Sequence, residues 1–252
     1  MELGLTGRVF VLTGATRGLG YAAAQQLVAE GARVVLSSRD PERVATAVTD
    51  LGDDRAVGLD ADLDAPATPH RLVSAALDRF GRLDGALISV GGPPPGGPCD
   101  VDDDQWRRSF ETVFLGAVRT ARVVAQRLPA GAAIGFVLSA SARSPIAGLG
   151  ISNGLRPGLL GVAKDLADAL GPRGIRVVSL LPGRIDTDRS TELFALASDP
   201  AAARADVEAG IPLGRLGTPE EFGRVAAFVL SPAASYLTGL AIPVDGGAAR
   251  PL

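Results

Sequence analysis

The chain is poor in the residues that metal and disulfide chemistry need. Among 252 residues there is one cysteine, Cys99, and one histidine, His70. A single cysteine excludes an intramolecular disulfide, and the pair leaves no nitrogen/sulfur metal site, so no metal is expected. Aromatic residues reach only 4%, with two tyrosines, Tyr21 and Tyr236. Lysine is almost missing: Lys164 stands alone among 25 basic residues, so arginine at any position can reflect this bias. Excess positive charge is missing too. A net charge of −3 gives no basic footprint for nucleic acid. The opening stretch "MELGLTGRVFVLTGATRG" carries an acid at position 2 and an apolar run broken by glycines. Neither a signal peptide nor a membrane span is expected from it, and a reducing cytoplasm is the expected compartment.

Apolar residues make up 46%, enough to bury a sizeable core. Short β-branched runs at 8–13, 33–38, 56–60, 85–89, 134–139, 175–181 and 240–244 read as buried strands. Apolar repeats at helical spacing fill 18–30, 41–51, 68–80, 103–127, 152–170 and 219–230. Near-continuous apolar strands alternating with helices predict an α/β fold, a doubly wound parallel sheet of seven strands in one domain, 1–252. Two segments break the rhythm: "SVGGPPPGGPCDVDDD" (89–104) and the long excursion 183–221. Excursions at the carboxyl ends of strands in such sheets tend to carry function.

The first strand runs into Gly14, Gly18 and Gly20, spaced G-x3-G-x-G, and a helix follows. Glycines let backbone amides approach a pyrophosphate, and a helix amino terminus adds partial positive charge. The loop Gly14, Thr16, Arg17, Gly18, Leu19 and Gly20 is therefore the expected cradle for a dinucleotide. An NAD-preferring site usually ends its second strand on an acid. Here Ser38 and Arg39 stand there, with Arg17 in the glycine loop, and two guanidinium groups with a hydroxyl suit a 2′-phosphate. NADP(H) is expected ahead of NAD(H); solvated arginines in an arginine-rich chain are the plainer alternative.

These residues resemble the short-chain dehydrogenase/reductase family, and the resemblance covers nearly the whole chain. Thr13-Gly14 with Gly18 and Gly20 matches its TGxxxGxG motif. Asp62-Leu63 resembles the acid that meets the adenine, and Gly91 closes the segment that corresponds to the family's NNAG. "LLPGRIDT" matches the PG motif, which implies cofactor contacts at Pro182, Gly183 and Ile185 and a nicotinamide contact at Thr187. The carboxyl-terminal third is similar to the part of the family that packs into dimers and tetramers, so a homo-oligomer is expected, with a small-molecule substrate.

The catalytic positions depart from the family. Its NNAG becomes Ile88-Ser89-Val90-Gly91, and its fourth-helix Asn falls at Val113. The catalytic Ser is kept as Ser139, while the YxxxK pair falls on Ser152 and Arg156. In the common mechanism the tyrosine phenol gives a proton to the carbonyl and the lysine holds the nicotinamide ribose. A serine hydroxyl is a far poorer acid, and an arginine with a pKa above ~12 exchanges no proton near neutrality. General acid catalysis contributes ~10²–10⁴-fold, so its loss still permits reduction of an activated carbonyl. "GGPPPGGP" together with "SNGLR" is similar to a ketoacyl-reductase-like subgroup of the family. The candidate catalytic residues are Ser139, Ser152 and Arg156, with water held between the two serines as the proton source.

Lys164 lies too far along its helix to substitute for the missing lysine, and His70 reads as solvated. Asp186 is as readily a cap or an arginine partner as a proton carrier. Arg143, Arg184 and Arg189 suit an anionic substrate between the proline loop 92–98 and the excursion 188–215. Three functions stay open: an NADP(H)-dependent oxidoreductase with a non-standard proton donor, a nucleotide-binding sensor or partner subunit, and a non-redox isomerase or lyase.

Overall fold

The computed structural model describes residues 2–250; Met1, Pro251 and Leu252, at the ends of the expected domain, lie outside the described residues. The strands are β1 (Val9–Thr13), β2 (Arg33–Ser38), β3 (Ala56–Asp60), β4 (Gly85–Ile88), β5 (Ala133–Val137), β6 (Arg176–Pro182) and β7 (Leu240–Val244). All pairings are parallel, in the order β3-β2-β1-β4-β5-β6-β7. The chain direction across the sheet reverses between β1 and β4. In open α/β sheets that switch point leaves a crevice at the carboxyl edge where ligands bind.

The helices are α1 (Gly18–Ala29), α2 (Pro41–Leu51), α3 (Thr68–Phe80), α4 (Asp103–Ser109), α5 (Gly116–Ala125), α6 (Gly150–Leu170), α7 (Asp188–Phe194), α8 (Pro200–Ala209) and α9 (Pro219–Leu230). One apolar layer sets α3, α5 and α6 against the sheet through Leu72, Val124, Phe136 and Leu159. The other sets α1, α2 and α9 against the opposite face through Phe10, Leu27, Val44 and Phe222. Both faces of the sheet are thus dry, which is why the strands read as continuous apolar runs. Among the described residues no helix is long and apolar enough to cross a membrane.

Three elements differ from the expected ones, and each bears on the site. The single helix expected over 103–127 is interrupted by a π-helical stretch, Phe110–Leu115, and Val113 sits inside it, buried. Such wide turns collect at functional sites. Gly116 follows, where a β-carbon would stand 2.6 Å from the Leu63 carbonyl oxygen, so the helix passes against the loop after β3. β5 ends at Val137, which leaves Ser139 beyond the strand edge. Helix α6 begins at Gly150, placing Ser152 in its first turn. The excursion 183–221 contains α7 and α8, both opened by side-chain caps, Thr187 and Asp199.

Candidate active site

The glycine loop is shaped by contacts that only glycine permits. Gly14 takes φ +57° and a β-carbon there would fall 2.8 Å from the Ser89 carbonyl oxygen. At Gly20 it would fall 2.5 Å from the Gly14 carbonyl oxygen, so α1 turns back tightly onto the loop. The Thr13 hydroxyl donates to the Ser89 carbonyl at 2.7 Å and accepts from the Ser89 amide at 3.0 Å, which locks the ends of β1 and β4 together. Gly18 and Gly91 leave open space in front of them, apart from the Thr187 methyl, which would lie 3.9 Å from a β-carbon on Gly18. This is a cradle with room for backbone amides to meet phosphate oxygens.

Two cavities meet across this loop. The first, about 600 Å³, brings Gly14, Arg17, Gly18, Leu19, Gly20 and Gly91 together with Ser139, Ser152, Arg156, Pro182, Gly183, Ile185 and Thr187. The second, about 1220 Å³, gathers Thr16, Arg17, Ser38, Arg39, Asp62, Leu63 and Val113. The residues expected to hold the two halves of a dinucleotide therefore line two adjoining spaces at the switch point. Their size and amide-rich floor fit such a cofactor. In this structure Arg39 faces Asp62 at 3.9 Å, and the Ser38 hydroxyl accepts from the Asp40 amide at 3.4 Å. Arg17 reaches the other way, to Asp188 at 3.9 Å and Glu192 at 3.6 Å on α7.

The start of α6 holds the reworked positions. Ser152 and Arg156 lie one turn apart, and their side chains share a face. Both are buried. The Ser152 hydroxyl is 3.0 Å from the Ser141 hydroxyl. Ser139 is half-buried, and its oxygen accepts from the Ser141 amide at 3.1 Å. Ser141 thus joins two residues expected to meet through water, and sequence reasoning missed it because it matches no motif. Arg156 donates from Nη1 to the Val137 carbonyl at 3.0 Å, while its Nε is buried without a partner. No carboxylate lies within salt-bridge distance of it among the described residues. Burial pushes its pKa down from the ordinary arginine range to about 10. That amounts to roughly 3 kcal/mol against the charged form, yet the group remains a cation at neutral pH.

The vacated family positions have become mutually apolar. Val113 packs with Ile151 and Leu155 of α6, and Val90 and Trp106 close this cluster. Asn153 explains the second letter of "SNGLR". Its Oδ1 accepts from the Ile146 amide at 3.0 Å and its Nδ2 donates to the Ile146 carbonyl at 2.8 Å, pinning the loop after β5 onto α6. The proline loop is pinned to the same place. The Gly96 amide donates to the Gly148 carbonyl and the Gly150 amide to the Gly96 carbonyl, both at 2.8 Å. A β-carbon on Gly150 would fall 2.8 Å from the Pro98 nitrogen. The loop "GGPPPGGP" thus docks on Gly148 and Gly150, the turn that leads into "SNGLR".

Helix α7 covers the cavity mouth. Arg189 donates to the Pro93 carbonyl at 3.2 Å, and Arg184 lines the first cavity beside it. Arg143 is not part of that lining; it donates to the Ala241 carbonyl at 3.1 Å. Asp186 pairs with Arg204 at 2.8 Å. Lys164 is exposed and pairs with Asp168, and His70 is exposed. Among the described residues no group of three or more His, Cys, Asp or Glu side chains could hold a metal.

Known proteins share the sequence family and the fold. A family model described as enoyl-(acyl carrier protein) reductase matches residues 14–249. An L-rhamnose 1-dehydrogenase (NAD(P)+) from Azotobacter vinelandii is 32% identical, over 96% of this chain and 97% of that protein. The crystal structure of L-sorbose reductase from Gluconobacter frateurii, complexed with NADPH and L-sorbose, superposes with a TM-score of 0.91 at 29% identity over the full length of both chains. A short chain oxidoreductase from Pseudomonas aeruginosa PAO1, described as containing an atypical catalytic center, superposes with a TM-score of 0.91 at 26% identity, covering 99% of this chain and 100% of that one. A parallel sheet with a glycine-loop crevice at the switch point and this family match define the class, an oxidoreductase on a Rossmann-type fold. Within that class the chain belongs to the short-chain dehydrogenase/reductase family.

Proposed function

We propose that the chain is an NADP(H)-dependent oxidoreductase acting on a carbonyl or its alcohol, ketoacyl-reductase-like in its proline loop and "SNGLR", and working without the family's tyrosine and lysine. The observation that carries this reading is the shared cavity: Ser139, Ser152 and Arg156 open into the same space as Gly14, Gly18 and Thr187. The glycine loop and the Pro182–Thr187 segment would hold the pyrophosphate and nicotinamide ends. Ser38 and Arg39 would take a 2′-phosphate, joined by Arg17 once it leaves Asp188 and Glu192; NAD(H) is the second candidate. The bound cofactor supplies or accepts the hydride at the substrate carbon.

The chain's own residues would do the rest. Ser139 and Ser152 position the carbonyl oxygen and a water between them, and Ser141 holds Ser152 in place. Arg156 lowers the energy of negative charge building on that oxygen, a term that matches general acid catalysis in size. The Arg189–Pro93 contact keeps bulk water out. A homo-oligomer fits the exposed Phe110, Tyr236 and Leu240 on the outer surface. The cytoplasm fits the lone exposed Cys99.

The second reading, nucleotide binding without turnover, is favoured by the Ser141 bond that already occupies Ser152. One experiment separates them. NADPH and NADH are titrated by nicotinamide fluorescence, and a panel of ketones, oxo acids and β-ketoacyl thioesters is then added. Tighter NADPH binding with oxidation by any member is expected, and it is lost in Gly20→Ala. Binding with no oxidation across the panel sinks the oxidoreductase reading in favour of the second.

A further inference from the structure

Arg156 presents a problem that the hydride reaction alone does not solve. A buried guanidinium normally has an acid beside it or carbonyls on every edge. This one has a single carbonyl, Val137, and a buried Nε with no acceptor. It nonetheless lines the cavity in which substrate would sit. Ser152, one turn earlier on the same face, lines the same cavity and its short side chain fills less of it than a phenol would. Arg184, on the same cavity lining, has no acid within salt-bridge distance among the described residues. The acids on that lining, Asp188 and Glu192, are taken up by Arg17 and Arg189, which leaves Arg156 and Arg184 without a carboxylate.

We infer that Arg156 receives the carboxylate of the ligand, and that the site is built for a small oxo acid or the hydroxy acid related to it. A planar fork of N–H donors matches a carboxylate better than it matches a single neutral oxygen. Nη1 is already turned toward Val137 and Nε is sealed from solvent, so Nη2, which makes no hydrogen bond, is the nitrogen that takes the acid. The chemistry agrees. A carboxylate next to a carbonyl makes that carbon more electrophilic, which suits a site whose proton donors are hydroxyls and water rather than a phenol. Placing the acid on Arg156 takes the guanidinium from the oxyanion role given above and sets the neighbouring carbonyl against Ser152, one turn earlier on the same face of α6, with Ser139 and the water left to meet its oxygen. The inference rests on the proposed function for its carbonyl half only; the carboxylate half stands on the unpartnered guanidinium.

Trp106 provides a readout that needs no turnover. It is the only tryptophan, and its ring lies against Gly154, between Ser152 and Arg156; a β-carbon on Gly154 would be 2.7 Å from Cη2. Trp106 fluorescence is followed while 2-oxobutanoate and its uncharged methyl ester are titrated, with and without saturating NADP+. The acid is expected to bind on the order of 10- to 100-fold more tightly than the ester, the range of a charge-assisted hydrogen bond. The preference should vanish in Arg156→Met, persist in reduced form in Arg156→Lys, and vanish in Ser152→Tyr, which keeps the charge but covers it. Equal affinity for acid and ester in the wild type overturns the inference, as does a preference that survives Arg156→Met. Loss of NADPH affinity in Arg156→Met with the acid-to-ester ratio unchanged also overturns it, and assigns Arg156 to the cofactor. If wild-type protein binds no NADPH, the proposed function falls, while the ratio still decides the inference.

Discussion

Two buried arginines with no acid beside them have opposite surroundings. Arg176, at the start of β6, donates to the Val229 and Ser231 carbonyls at 2.8 Å and to the Leu237 carbonyl at 3.2 Å. Those oxygens lie at and beyond the end of α9, where the helix dipole is negative. Burial and the nearby Arg8 lower its pKa, yet the donors are well occupied. Arg156 has one carbonyl and an orphaned nitrogen. The first arginine ties the last helix to the sheet. The second leaves donor capacity unused in a cavity that reaches the glycine loop after β1. Burial of charge is thus compatible with either role, and the acceptors around the group decide which.

Substitutions sharpen that contrast. The largest effect is expected at the tied arginine: Arg176→Met should lower stability by about 3 kcal/mol, because it strands buried carbonyls that accept from a cation. Urea unfolding measures it. A smaller loss, about 1–2 kcal/mol, is expected for Asn153→Ala, which unpins the loop at Ile146. The loop 143–149 should then be nicked faster by protease, while NADPH affinity holds. Asn153 therefore supports the site from outside, unlike Arg156 within it. The smallest effect at neutral pH, yet a diagnostic one, is the titration of Arg156. Its folded value of about 10 lies below the ordinary arginine range. The fold therefore disfavours the charge below that point, and the penalty fades as pH rises through about 10. Carboxylate affinity, followed through Trp106, should decline over the same rise, because the cation is what binds.

Most of the frame was legible in the sequence, for simple reasons. Strands dry on both faces read as apolar runs, and the G-x3-G-x-G loop after β1 marks the switch point whatever surrounds it. What stayed hidden depends on contacts across the chain. The wide turn at Phe110–Leu115 has no sequence signal beyond the glycine that ends it. Ser141 matters only because β5 stops at Val137 and brings it beside Ser152. Arg17 was expected at the 2′-phosphate end, but its partners are acids of α7, an element that periodicity does not reveal in a short, polar stretch. The loneliness of Arg156 is likewise invisible in a sequence rich in arginine. It emerges only when every neighbour is in place and none is an acid.

The most direct test compares the thermal unfolding of Arg156→Met and Arg176→Met with wild type, all without ligand. Replacing an uncompensated buried charge with an apolar chain of similar length is often neutral or stabilising, here by about 1 kcal/mol. The account predicts that Arg156→Met melts at or above the wild-type temperature while Arg176→Met melts well below it. If both variants lose stability alike, Arg156 is a structural tie like its counterpart, and the claim that it is held in reserve for a ligand is contradicted.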